Sequence, residues 1–233
     1  MVDLVVIAPS RGRPTQATRL ADAVAATTDG RAGLLVLVDD DDPYRGAYLE
    51  ALARPGVQVA VAPRQGLVGS TNLGARMVLG TDTPYLASLG DDHLPRTPDW
   101  DRKLIDAIRE MNGPGWAYGN DLLQGARLPT AWVQHRATVE ALGWMMLPTL
   151  GHMYPDNVVY DLGHDLHRLA YVPTVIIEHL HPSAGKAEVD DSYVETNTPD
   201  QYNIDNRAYT AWQQTTMHDD RRRIASLTWA VAL

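Results

Sequence analysis

Short apolar runs alternate with helical patterns in the first half of the chain, and this alternation restricts the fold more than any other feature. The runs at 4–8, 34–38 and 85–89 have the length and composition of strands buried on both faces, and 57–62 is a further predicted strand. A segment with apolar residues at helical spacing follows each run. Strands joined by helices through short links imply right-handed crossovers. We therefore predict an α/β fold with a mostly parallel central sheet flanked by helices.

The pattern changes after residue 115, where shorter strand-like segments replace the regular alternation. We predict one domain in two halves, 1–115 and 116–200, followed by a C-terminal helical tail at 201–233. The polar, acidic stretch 185–199 is typical of a mobile surface loop.

Composition narrows the function classes. The formal net charge is -9 and the pI is about 5.2, which does not favour a nucleic-acid partner, because such proteins carry a basic face. The absence of cysteine excludes disulfides and thiolate metal sites. No apolar run approaches the roughly 18 to 20 residues that span a bilayer, and residues 1–9 lack the pattern of a signal peptide. We expect a cytoplasmic protein without a membrane span.

The run at 85–89 stops abruptly at Gly90, Asp91, Asp92 and His93. Open α/β sheets bind their ligands at the carboxyl ends of their strands. Two adjacent carboxylates repel each other, which indicates that a cation belongs beside them. Oxygen ligands with one or two imidazoles suit Mn²⁺ or Mg²⁺, so we predict a metal that carries a phosphorylated ligand. The alternative is a polar turn whose acids cap the next helix.

A second acidic cluster follows the run at 34–38. Asp39 and Asp40 would reach the same edge of the sheet, where a carboxylate can accept hydrogen bonds from a nucleobase N–H or from ribose hydroxyls. Asp42, which precedes Pro43, is more typical of a helix N-cap.

Two histidines and a late acid are further candidates. His179 and His181 alternate at the end of an apolar strand, so both rings would lie on one face. Either could complete the metal site, with His181 favoured because it stands at the strand exit; the alternative is a surface histidine pair. Asp156 follows Pro155 at a predicted helix start, where it could act as a general base or simply interact with the helix dipole.

Several common enzyme motifs are missing. Gly69 and Gly74 have the outer spacing of a phosphate-binding P-loop, but Ala75 stands where the lysine is required. The chain also lacks G-x-G-x-x-G after a strand, H-E-x-x-H and G-x-S-x-G. P-loop NTPases, dinucleotide oxidoreductases, zincin proteases and α/β-hydrolases are therefore disfavoured.

Taken in order, these segments resemble the family-2-like glycosyltransferases of the GT-A fold over about residues 5–181. The segments that carry the resemblance are 5–14, 36–40, 69–75, 89–93 at the D-x-D-type region, 155–157, the Y-x-P element 171–173, and 179–181. The chain departs from a strict D-x-D because Leu89 and Gly90 precede the acids, so only Asp91 and Asp92 can act. It also has Pro155 where the family often has Glu.

The resemblance implies a nucleoside diphosphate sugar as donor and a hydroxyl acceptor that the sequence does not identify. The residues that it places against the donor are Ser10, Arg11, Asp39, Asp40, Asn72, Asp91 and Lys186. It implies that Asp92 and His181 or His179 hold Mn²⁺ or Mg²⁺, with residues 1–115 forming the nucleotide-sugar half and 116–200 the acceptor half. Asp156 would deprotonate the acceptor hydroxyl in a single displacement that inverts configuration.

Two other functions remain open on the sequence alone. A metal-dependent nucleotidyltransferase could share the fold, although 10–13 is only a faint match to the Gly-rich, basic loop of those enzymes. A non-catalytic sugar-nucleotide or glycan-binding module could use the aromatic residues Trp132, Trp144 and Tyr154 to stack on a sugar.

Overall fold

A computed structural model of the chain describes residues 2–229, and its strands form one eight-stranded sheet in the order β3-β2-β1-β4-β7-β6-β8-β5. The strands are β1 Leu4–Ser10, β2 Ala32–Asp39, β3 Val57–Ala62, β4 Tyr85–Ser88, β5 His93–Pro95, β6 Trp116–Asn120, β7 Trp132–His135 and β8 Leu169–His179. The helices are α1 Pro14–Thr27, α2 Arg45–Ala51, α3 Gly66–Leu79, α4 Trp100–Arg109, α5 Arg136–Leu142, α6 Pro155–Gly163, α7 Asp191–Thr196, α8 Pro199–Thr215 and α9 Met217–Ala225.

The four strands predicted from apolar runs are the parallel part of the sheet, β3-β2-β1-β4. Side chains of β1 alternate between two layers, as a strand buried on both faces requires. Leu4, Val6 and Ala8 belong to the core beneath α1 and α4, whereas Ile7 packs with Ala75 of α3 on the other face. The α/β prediction is confirmed, and the carboxyl ends of these strands meet at one edge.

The second half of the sheet is mixed. Strand β7 runs antiparallel to both β4 and β6, β6 runs parallel to β8, and β5 pairs antiparallel with β8. Four of the seven strand pairings are parallel. The three-residue β5 was not predicted, because a pattern of alternation needs a longer segment to be visible.

Helix α3 lies unusually close to the sheet at Gly74. A Cβ atom there would stand 2.7 Å from Ile7 Cγ2 and 3.1 Å from Leu37 Cδ2, closer than side chains normally approach. The glycine therefore sets the distance between α3 and strands β1 and β2, rather than forming a phosphate loop.

The predicted helical tail is two helices, α8 and α9, that change direction at Thr216. Trp212 Nε1 of α8 donates a hydrogen bond of 2.9 Å to Asp220 Oδ2 of α9, and both side chains are buried. The predicted tail extended to 233, and its residues 230–233 lie outside the described part. The predicted loop at 185–199 contains the short helix α7. None of the helices in residues 2–229 has the length and apolarity needed to cross a membrane.

Candidate active site

A cleft of about 390 Å³ opens at the carboxyl edge of the parallel strands. Ser10 at the end of β1, Asp39 at the end of β2, and Asp91 and Asp92 after β4 form its floor. The walls come from later segments: the loop before α6, the end of β8 and helix α7. The topology thus brings acids from β2 and β4, with Ser10 of β1 between them, to one edge of the sheet, as the sequence predicted.

Asp92 lies between two imidazoles. Asp92 Oδ1 is 3.0 Å from His93 Nδ1, and Asp92 Oδ2 is 3.4 Å from His179 Nε2. The two rings stack with their centroids 4.0 Å apart, because His93 of β5 pairs directly with His179 of β8. One ligand atom from each of the three residues lies within 4.8 Å of the others. We call these three residues the Asp–His cluster.

The Asp–His cluster has the chemistry of a divalent metal site. In residues 2–229, His93 Nε2 and His179 Nδ1, the nitrogens that face away from Asp92, are buried without a hydrogen-bond partner. Burial and the neighbouring His93 lower the pKa of His179, which favours the neutral imidazole that binds metals. A carboxylate with two imidazoles fits Mn²⁺ better than Mg²⁺, because Mg²⁺ takes oxygen ligands almost exclusively.

His181, which we favoured as the metal ligand, lies outside the Asp–His cluster. Its ring centroid is 5.0 Å from that of His179, and it lines the cleft. Its Nδ1 lies 2.7 Å from Ser183 Oγ and accepts from Ser183 N, which caps the 3-10 turn at 182–184. Strand β8 ends at His179, so the chain turns before His181 can reach Asp92. The structure instead brings His179, the other histidine predicted as a possible metal ligand, to within 3.4 Å of Asp92.

Asp91 lies at the cleft floor beside the Asp–His cluster and is almost fully buried. Ser10 Oγ donates to it at 2.5 Å, and Arg13 Nη1 lies 3.3 Å away. Burial and repulsion by Asp92 raise the pKa of Asp91 in spite of Arg13. Arg13 also makes a bidentate ion pair with Asp190, with two contacts of 2.6 Å. Sequence reasoning missed Arg13 and Asp190, because no local pattern links residues so far apart.

Asp39 forms an ion pair with Arg11 at 3.0 Å at the far end of the cleft. Burial raises the pKa of Asp39, although Arg11 opposes the shift. Arg11 also contacts Asp41 at 2.5 Å. Asp40, predicted as an equal alternative to Asp39, is exposed and does not line the cleft. Asp42, predicted as a helix N-cap, is not the N-cap of α2: that residue is Tyr44, which has no side-chain cap hydrogen bond, and Asp42 Oδ1 accepts from Tyr44 N at 2.7 Å in the turn before the helix.

Two residues predicted to bind the donor have structural partners instead. Asn72 is buried in α3, and its side chain bonds to the backbone of Met145 and Met146, with Nδ2 donating to Met146 O at 2.8 Å. It supports the wall of the cleft from behind and does not line it. Lys186 pairs with Glu178 at 2.9 Å and likewise does not line the cleft. The order of the motifs along the sequence predicted that both residues contact the donor. In the structure their side chains contact other parts of the protein instead.

Asp156 lines the cleft at the first turn of α6. Its Oδ1 accepts from Asn157 N at 2.9 Å, and burial raises its pKa. The raised pKa brings the carboxylate closer to the range in which a general base works at neutral pH. The geometry therefore permits the predicted role, because Asp156 and the Asp–His cluster share one cleft.

Asp205 of α8 fixes the loop that precedes Asp156. Its carboxylate accepts N–H groups of Gly151, His152 and Met153 at 2.7, 2.8 and 2.7 Å, and it is fully buried. Burial would raise its pKa, but these bonds outweigh burial and lower it. His152 and Met153 line the cleft. Nothing near Asp205 in the sequence marks it as part of the site.

Asp121 lies behind His179. Its Oδ1 accepts from three consecutive backbone N–H groups of the loop after β6, and its Oδ2 accepts from Thr130 Oγ1 at 2.8 Å. These bonds lower the pKa of Asp121 although burial opposes them. Its Oδ2 stands 4.0 Å from His179 Nδ1, the buried nitrogen that has no hydrogen-bond partner in residues 2–229. A fixed negative charge therefore faces the side of His179 remote from Asp92.

Comparison with known proteins identifies the fold. No family profile and no curated protein matches the sequence. Among solved structures, a mannosyltransferase from Pyrobaculum calidifontis in complex with GDP-Man and Mn²⁺ has a TM-score of 0.62 and 12% identity, over 96% of this chain and 79% of that one. TarS 1–349 of S. aureus in complex with UDP has a TM-score of 0.56 and 12% identity, over 76% of this chain.

The chain spans 60% of the TarS chain. Glucosyl-3-phosphoglycerate synthase from Mycobacterium tuberculosis, in complex with Mn²⁺, UDP and phosphoglyceric acid, has a TM-score of 0.54 and 15% identity, over 79% of this chain and 74% of that one. At these identities the similarity establishes the fold. The chain has the GT-A type of fold, and the predicted resemblance is confirmed at that level.

Proposed function

We propose that the chain is a metal-dependent glycosyltransferase that moves a sugar from a nucleoside diphosphate sugar to an acceptor hydroxyl with inversion. One observation carries the proposal: the Asp–His cluster and Asp156 face the same cleft, at the strand ends where an α/β sheet binds nucleotides. The fold supports it, because the similar proteins were solved with UDP, GDP-Man and Mn²⁺.

The donor would lie along the cleft floor. The Asp39 carboxylate, at the far end, would accept a nucleobase N–H or a ribose hydroxyl. Asp91 and Ser10, hydrogen-bonded to each other at 2.5 Å, lie between Asp39 and the metal site, where the ribose would sit. Arg13 is the cation closest to Asp91 in the described chain, and it would contact the diphosphate.

Asp92, His93 and His179 would hold the metal. When bound, Mn²⁺ supplies positive charge that offsets the charge developing on the departing diphosphate. The ionised Asp92 and the neutral His179 are the protonation states that such a site needs.

Asp156 would perform the proton transfer. Its carboxylate would accept the proton of the acceptor hydroxyl while that oxygen forms a bond to the anomeric carbon. The bond from the anomeric carbon to the diphosphate oxygen breaks in the same displacement, so the leaving group is a nucleoside diphosphate and the configuration inverts.

The test is a donor panel with product analysis. The chain is incubated with UDP- and GDP-sugars, Mn²⁺ and a mixed set of hydroxyl acceptors, and the released nucleotide and the product anomer are identified by NMR. The proposal expects a nucleoside diphosphate and an inverted linkage, lost in Asp92→Asn and kept in Asp106→Asn, an exposed acid at the opposite edge. Release of pyrophosphate from a parallel panel of nucleoside triphosphates with sugar 1-phosphates would instead establish a nucleotidyltransferase. Donor binding without turnover would establish a binding module.

A further inference from the structure

Three tyrosines form an aromatic surface at the mouth of the cleft, next to Asp156. Tyr154 lines the cleft and stacks on Tyr209, with ring centroids 4.9 Å apart and an interplanar angle of 13°. Tyr202 of α8 lies against Tyr154 at 5.5 Å and 45°, and it is 52% exposed. We call Tyr154, Tyr202 and Tyr209 the tyrosine platform. The proposed mechanism does not use it.

The backbone of Tyr154 is held in a strained conformation. Its φ is +73°, a left-handed conformation that bulky residues rarely adopt and that is found most often at functional sites. Its Oη donates to Asn206 Oδ1 at 3.1 Å, and Asp205 fixes the three residues before it. Pro155 and Asp156 follow directly. The same turn therefore orients both the proposed base and the central ring of the platform.

Two hydroxyls of the platform have an amide and a carboxylate as their hydrogen-bond partners. Tyr209 Oη donates to Asp161 Oδ2 at 2.6 Å, and Tyr154 Oη bonds to the amide of Asn206. Within residues 2–229, no lysine or arginine makes a hydrogen bond or a cation–π contact with any of the three rings. An anionic acceptor would find no cation in contact with these rings, whereas an uncharged acceptor needs none.

We propose that the tyrosine platform is the acceptor subsite and that the acceptor is an uncharged pyranose, either free or at the end of a glycan. One face of a pyranose presents axial C–H groups that pack on an aromatic ring, and its rim presents hydroxyls. Tyrosine suits such a ligand because it combines a large apolar face with a polar tip at low conformational cost. A sugar on Tyr154 and Tyr202 would direct a rim hydroxyl toward Asp156. The inference rests on the proposed function.

Binding of the nucleotide and Mn²⁺ is measured first. A failure of the glycosyltransferase proposal can then be distinguished from a failure of the acceptor proposal. Thermal shifts with UDP and GDP, with and without Mn²⁺, are measured for the wild type, Tyr202→Ala and Ile204→Ala. Ile204 is an equally exposed apolar residue two positions along α8 and serves as the matched control. All three proteins are expected to shift equally, because a ligand that binds the native state raises its apparent stability. No shift in the wild type would contradict the glycosyltransferase proposal itself.

The acceptor side is tested by binding and by kinetics. Saturation-transfer NMR, with UDP or GDP and Mn²⁺ present, compares neutral pyranosides and short oligosaccharides with acyclic polyols, sugar phosphates and serine peptides. The inference predicts that pyranosides bind through their C–H face, and that Tyr202→Ala raises their KM about tenfold with kcat and the donor KM nearly unchanged. Tyr202→Trp is expected to restore the wild-type KM, and Ile204→Ala to leave it unchanged.

Three results would overturn the inference. One is a wild-type protein whose nucleotide shift is normal but that binds no pyranoside. Another is a preference for sugar phosphates, peptides or acyclic polyols. The third is an acceptor KM that is the same in Tyr202→Ala as in the wild type.

Discussion

Asp91 and Asp92 are neighbours in the chain, yet their surroundings shift their pKa values in opposite directions. Burial and repulsion by Asp92 raise the pKa of Asp91. Burial would also raise the pKa of Asp92, but hydrogen bonds from His179 and His93 outweigh it and lower the pKa. Because like charges this close resist simultaneous ionisation, the negative charge concentrates on Asp92. This asymmetry, together with the position of Asp92 in the Asp–His cluster, favours Asp92 over Asp91 as the acid of the proposed metal site.

The histidines provide a prediction at the residue scale. We expect His93→Ala and His179→Ala each to weaken Mn²⁺ binding at least tenfold, because each removes one of the three potential ligands. His181→Ala is expected to change the affinity for Mn²⁺ by less than about threefold, since the ring of His181 lies outside the Asp–His cluster. Isothermal titration with Mn²⁺ and a nucleoside diphosphate measures this directly. A larger loss in His181→Ala than in His179→Ala would reverse the assignment.

Asp156 provides a second prediction at this scale. Asp156→Asn should slow transfer by about 100-fold or more and leave the thermal shift by nucleotide and Mn²⁺ intact. A base must be ionised to accept a proton, and burial raises the pKa of Asp156 above its usual value. Wild-type activity should therefore fall on the acid side at a pH above the ordinary aspartate range, near 3.9.

The pH–rate profile of kcat/KM measures this fall, with Asp165→Asn as the control because Asp165 is an exposed acid just after α6. Residual activity in Asp156→Asn that keeps the wild-type acid limb would assign the proton transfer to another group.

At the scale of elements, the site depends on contacts between segments that lie far apart in sequence. Helix α7 is joined to the loop after β1 by the Arg13–Asp190 pair and by a 2.9 Å bond from Ser192 Oγ to Arg11 O. Helix α8 holds the loop before α6 through Asp205. The C-terminal helices thus hold in place segments that line the cleft.

Asp205→Asn is the prediction that belongs to this scale. Replacing a buried carboxylate that accepts three N–H bonds should reduce the free energy of unfolding by about 2 to 3 kcal/mol at pH 7. The folded-state pKa of Asp205 is lowered, so its contribution is present above the unfolded value near 3.9 and is lost as the pH falls through the folded value.

Urea denaturation at pH 7 and at decreasing pH below 4 measures both the loss in the free energy of unfolding and the direction in which that loss changes with pH. Asp200→Asn, an exposed acid in the first turn of the same helix, should cost less than about 1 kcal/mol. A difference between the wild type and Asp205→Asn that grows as the pH falls would contradict the role given to the carboxylate.

At the scale of the whole molecule, the structural features that the sequence predicted are those that depend on a local pattern of residues. The four parallel strands, their edge, Asp92 and His179 all follow from apolar runs and from the residues that end them. His93 was not predicted as a potential metal ligand, because its position beside His179 depends on the pairing of β5 with β8, a contact between distant segments. The same holds for Arg13 with Asp190 and for Asp205. Conversely, Asn72 and Lys186 were predicted to bind the donor, but their side chains contact other partners and do not line the cleft.

The division into a donor half and an acceptor half stays a prediction, although the cleft draws residues from both ranges. Asp39, Asp91 and Asp92 come from the first half, and Asp156 and His179 come from the second. Neither half contains the complete set, so the site exists only when the mixed part of the sheet is folded against the parallel part.

The most direct measurement is the electron paramagnetic resonance of Mn²⁺ titrated into the chain with a nucleoside diphosphate present. Wild-type protein should remove Mn²⁺ from the free signal at one site per chain, with the nucleotide increasing the affinity. Asp92→Asn should abolish this binding while its unfolding transition stays cooperative, and Asp106→Asn should bind as the wild type does. Equal Mn²⁺ binding by the wild type and by Asp92→Asn would contradict the claim that Asp92 anchors a metal that holds the diphosphate.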